Sequence, residues 1–138
     1  MRLPVFLFAL LLAVPALGGE APEKAPEPGT SVEMPYLIAP MVVDDRLVAY
    51  AYISTKIVAT SPSAAIAVRL KLAFIQDAFV RDVNAASIAD PADPSKVNEK
   101  GLMARLLADA KRIAGPAKVA GIKLIQLQIS PMRPNPQG

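Results

Sequence analysis

The sequence contains no cysteine, no histidine and no tryptophan. Without histidine and cysteine, Ser-His and Cys-His nucleophile pairs cannot form, and the usual zinc ligands are missing. Disulfide staples and a lipid-modified N-terminal cysteine are excluded too, so the fold must rest on its hydrophobic core. A glycine-rich phosphate loop is also lacking, because the seven glycines are scattered over 138 residues. Basic residues are dispersed, and no Lys/Arg cluster interleaved with aromatics marks a nucleic-acid surface, despite a sequence pI near 9.3. The carboxylates that lie near one another, Asp44 with Asp45 and Asp90 with Asp93, sit beside turn signals. They read as turn formers rather than cation ligands. No catalytic residue, cofactor site or metal site is expected.

The N-terminus points to export. Arg2 supplies a positive n-region, residues 3–17 are apolar, and Ala16-Leu17-Gly18 offers small residues for signal peptidase. The apolar stretch contains Pro4 and Pro15 and falls short of the roughly 20 residues that span a bilayer. Residues 1–18 are therefore read as a cleaved signal peptide, with a short uncleaved anchor as the alternative. Cleavage places the remainder in the periplasm. Retention would leave it anchored in the inner membrane, facing the periplasm. Membrane association is expected only in that second case. Removing residues 1–18 takes only Arg2 from the charges and leaves 14 basic against 12 acidic side chains.

Residues 19–33 are rich in proline and glutamate, with no bulky apolar side chain before Val32. They read as a semi-stiff linker. Residues 131–138 carry three prolines and read as a tail, leaving one globular domain over 34–130.

Within that domain, residues 36–43 read as a first strand, confined to an edge by Pro40. Asp44-Asp45-Arg46 makes a tight hairpin into a long alternating strand over 47–60. There Leu47, Ala49, Ala51, Ile53, Ile57 and Ala59 share the face expected to meet the core, and Tyr50, Tyr52, Ser54 and Lys56 share the other. Ser61-Pro62 reads as an N-cap followed by proline at the first helical position of a helix running to about Val83. That helix is apolar on two sides: Ile66, Leu70 and Phe74 form one stripe, and Val68, Leu72, Ile75, Phe79 and Val83 the other. Either both stripes are buried, by the sheet and the second helix, or one packs on a neighbouring copy. Val68, Leu72, Ile75 and Phe79 are the candidate interface.

Asp90-Pro91 and Asp93-Pro94 break the chain before a second helix over about 96–114, with Ser95 as its cap. Its Glu99, Lys100, Arg105, Asp109 and Arg112 read as a solvated face, and Gly115-Pro116 ends it. In the closing strand, over 119–129, the apolar parity shifts between Leu124 and Ile125, which calls for a bulge there. The order strand, strand, helix, helix, strand predicts an α+β fold, with two helices packed on one face of a small, mainly antiparallel sheet.

Five segments carry a family resemblance: Pro40-Met41-Val42-Val43, Leu47-Val48-Ala49-Tyr50, Phe74-Ile75-Gln76-Asp77-Ala78-Phe79, Gly101-Leu102-Met103 and the final strand over 119–128. Together they resemble the periplasmic domain of the flagellar basal-body-associated FliL family. The resemblance implies a stomatin- or prohibitin-like domain that sits beside the flagellar stator, assembles into rings and has no catalytic residues. Members of that family are usually held by a full transmembrane helix, and the short apolar stretch here departs from that pattern. The expected function is a non-catalytic periplasmic assembly domain whose partners are copies of itself and flagellar motor proteins. The alternative is a small periplasmic binding module that uses the sheet face of Tyr50, Tyr52, Ser54 and Lys56 for a peptide, glycan or apolar ligand.

Overall fold

The Asp44-Asp45 pair makes the turn that organises the sheet. Both residues take positive φ, 49° and 60°, the backbone of a two-residue hairpin turn that aspartate tolerates better than most side chains. The turn joins β2 (Leu37–Val43) to β3 (Arg46–Ala59), and their register runs from Val43 opposite Arg46 to Leu37 opposite Ile53. The computed structural model describes residues 28–133. The expected signal segment, most of the linker and the end of the tail lie outside those residues.

β3 is the centre of a four-stranded antiparallel sheet, which agrees with the α+β reading. One of its edges is shared end to end by β2 and β1 (Ser31–Glu33), and the other pairs with β4 (Val119–Pro131). β1 corrects the linker boundary, because Val32 pairs with Ile57 and is buried, as is Thr30. Three ordered residues suffice there because the free edge of β3 supplies ready partners for their backbone groups.

Ala49, Ala51, Ile53, Ile57 and Ala59 are buried as expected, and Thr55 lies among them. Leu47 does not join them. A register shift between Met41 and Val42 leaves Val48 without a partner on β2, reverses the alternation and turns Leu47 outward. On β4, Ser54 faces Gln126 while Thr55 faces Leu124. Ile125 is therefore the extra residue of the expected bulge. Ile122, Leu124, Leu127 and Ile129 thereby all pack toward the core.

The helices cover one face of this sheet. Ser61 Oγ accepts from the Ala64 N–H at 3.0 Å and starts α1 (Pro62–Leu70). The predicted single helix is divided at Lys71, whose N–H bonds the Val68 carbonyl three residues back at 3.0 Å. From there α2 (Leu72–Ala85) continues. No glycine or proline lies between Ser63 and Asp90 to mark the break. It falls where the chain passes from packing on β1 and β3 to packing on β2 and the third helix. That helix is α3 (Glu99–Ala114), which also packs on β4.

Asn98, not Ser95, caps α3 by accepting from the Gly101 N–H at 3.1 Å. A Cβ on Gly101 would lie 2.6 Å from the Asn98 side chain, so glycine accommodates this cap. Ser95 is held instead by Asp93, whose Oδ1 accepts from both its hydroxyl and its N–H. Asp90 likewise accepts from the Ala92 N–H at 2.8 Å. Both aspartates thus build turns, inside a small antiparallel excursion that buries Ile88 and Val97. Gly115, with φ of 107°, ends α3.

Candidate interaction surfaces

The two apolar stripes of the helical layer have opposite fates. Val68, Ile75 and Phe79 are fully buried, and Leu72 is half-buried against them. The candidate interface drawn from the sequence is therefore core, because β1, β2 and β3 lie on that side of α1 and α2. The other stripe faces out: Ile66 is 59% exposed, Leu70 78% and Phe74 64%. Lys71 Nζ stands 5.5 Å from the centre of the Phe74 ring, and Arg69 reaches the Ser31 carbonyl at 3.3 Å. Cationic side chains thus rim a row of large apolar ones.

From Phe74 the surface falls into a groove of about 540 Å³ between α2 and α3, whose apolar lining includes Ala78 and Ile113. Its charges are largely matched in place. Arg81 bonds Asp77 at 3.0 Å and Arg112 bonds Asp109 at 3.1 Å. Across the helix boundary, Arg105 holds Asp82 and also donates to the Ser87 carbonyl at 3.3 Å. This corrects the reading of Arg105 as a purely solvated residue. At its place in α3 the side chain meets α2, and the pairing fixes how the two helices sit.

The second surface is the face of the sheet away from the helices. Tyr50, Tyr52, Ser54 and Lys56 do lie together there. Tyr52 sits between Ile38 on β2 and Gln128 on β4, and Ser54 beside Gln126. Tyr36 completes the patch by crossing from the β1–β2 connection to donate to Gln126 Oε1 at 3.3 Å. Gln76 Nε2 supports it from behind, at 3.4 Å from the Tyr36 carbonyl. All three tyrosines of the chain thus lie on one side of the sheet. Tyr36 and Ile38 are 63% and 52% exposed, whereas Tyr50, flanked by Pro40 and Ser130, is half-buried. Sequence reasoning placed neither Tyr36 nor Ile38 here. The opposite parity of Ile38 to Leu37, Ala39 and Met41 was the available signal.

Among the described residues, no helix is long and apolar enough to cross a membrane. No protein-family model matches the chain, and no curated protein matches it.

Proposed function

We propose that this chain is a non-catalytic assembly domain of the bacterial envelope, exported to the periplasm and associated with the flagellar basal body or its stator. The observation that carries the reading is the exposed row Ile66, Leu70 and Phe74. Large apolar side chains aligned on one helical face and continuous with a groove are a surface that association would cover. The tyrosine-bearing sheet face lies on the other side of the same domain. Contact between these two unlike faces of successive copies is head-to-tail, and such contacts close into rings when the rotation allows. The FliL-like order of elements supports the flagellar setting.

Leu70→Asp and Phe74→Asp in the full chain test this reading, because both positions lie outside the core. Chemical crosslinking in cells should give a ladder of oligomers for the parent chain and nothing larger than a dimer for either variant. A parent chain that stays monomeric at high concentration would sink the reading.

A second reading has its own observation, the open patch of Tyr36, Tyr52 and Ile38, which suits a small periplasmic binding module. Without tryptophan, tyrosine fluorescence reports on this face alone. Saturable changes on adding a peptide or glycan, lost in Tyr52→Ala, would favour it. A flat titration across such ligands would count against it.

A further inference from the structure

The outer edge of β4 offers one more surface, separate from the helical row. Met132 N–H bonds the Val48 carbonyl at 2.9 Å, which sets the alternation of the β3–β4 ladder. The backbone groups of Gln126, Gln128 and Ser130 point to β3, and those of Leu127 and Ile129 point outward. No strand of the described residues takes them up. The stretch 124–130 carries no charge, proline or glycine, and its Ile125 and Ile129 favour a strand. Lys123 and Pro131 bound it. The opposite edge of the sheet differs, because Pro35 and Pro40 interrupt it, and charged or proline-broken edges discourage pairing.

We infer that this edge of β4 pairs antiparallel with the same edge of a second copy, about a two-fold axis near Gln128. The window is self-complementary in that register. Leu127 of one copy stands opposite Ile129 of the other on the helix side, where both are only partly buried by their own domain. On the open side Gln126 stands opposite Ser130, and Gln128 meets its own equivalent. About four ladder hydrogen bonds form, and two sheets merge into one. No like charges oppose within the window. The Ile125 bulge bends the strand before Lys123 could approach Arg133 of the other copy. The inference goes beyond the helical-row reading and does not depend on it.

The chain has no cysteine, so Gln128→Cys in the full chain introduces a unique thiol. At the two-fold axis the paired Cα atoms stand about 4.5 Å apart, within disulfide reach. Mild oxidation of cells should convert most of this variant to a disulfide-linked dimer, whereas Ala108→Cys, exposed on α3, should stay monomeric. Adding Ile129→Pro removes one outward donor per copy while sparing the bonds to β3, and should weaken pairing by roughly thirtyfold. Gln128→Lys places like charges face to face, so in the Leu70→Asp background, where the helical row is disabled, sedimentation should show monomer with Gln128→Lys and dimer without it. Leu70→Asp should leave the crosslink intact, which separates this edge from the helical row. No dimer from Gln128→Cys, equal crosslinking from Ala108→Cys, or an unchanged association state on adding Gln128→Lys to Leu70→Asp would overturn the inference.

Discussion

Arg105 and Asp82 form a clasp between α3 and α2: Nη2 and Nε lie 2.6 Å and 2.8 Å from the same carboxylate oxygen. Their side chains are 33% and 20% exposed, so the pair is neither fully hydrated nor fully buried. Asp82→Ala leaves the guanidinium half-shielded without its partner and should lower stability by about 1–2 kcal/mol. Thermal unfolding should show it as a drop of roughly 4–8 °C per kcal/mol.

The reversal of the two stripes gives a paired test at like residues. Phe79→Ala empties a fully buried site and should cost about 3–5 kcal/mol. Phe74→Ala removes an exposed ring and should stay within about 0.5 kcal/mol of the parent in denaturant unfolding. Equal effects would mean that the outward assignment of Phe74 is wrong.

At the hairpin, both central residues occupy positive φ without being glycine or asparagine. Asp44→Asn with Asp45→Gly supplies the preferred pair for this turn and relieves like charge between neighbours. Stability should rise by about 1 kcal/mol, read as a higher denaturant midpoint with an unchanged slope.

Asp93 accepts hydrogen bonds from the Ser95 hydroxyl and N–H, which hold its pKa below the ordinary aspartate value, with Lys96 adding a smaller effect in the same direction. A depressed carboxylate contributes stability that is fully present above the unfolded-state value and lost as pH falls through the folded one. NMR titration should find the Asp93 midpoint below the ordinary aspartate value. Ser95→Ala should move its midpoint upward.

Local chemistry was legible where one residue dictates one geometry. Ser61-Pro62 started a helix, Asp44-Asp45 turned the chain, Gly115 ended α3, and the broken parity at Leu124-Ile125 marked a bulge. Periodicity also separated the two helical stripes correctly. It could not say which of them meets the sheet, because both are rows of large apolar side chains and the choice depends on where β1, β2 and β3 lie. The division at Lys71 and the pairing of residues 31–33 had no local signal, since each is imposed by tertiary packing. Asn98 was overlooked as a cap because Ser95 stands closer to the proline pair. Asp93 had already engaged that serine.

Every strand in the sheet hydrogen-bonds to β3 and to no other. β2 reaches it through a two-residue turn, but β4 pairs with it across separations of 60 residues, from Ala59 to Val119, up to 82, from Ala49 to Pro131. Loop closure on that scale is slow compared with hairpin formation. A chain delivered N-terminus first, from a ribosome or through a pore, presents the vacant side of β3 until β4 arrives. For that interval the backbone groups along residues 49–59 stand open, with Lys56 the one charge among them, and pairing with another chain competes with folding.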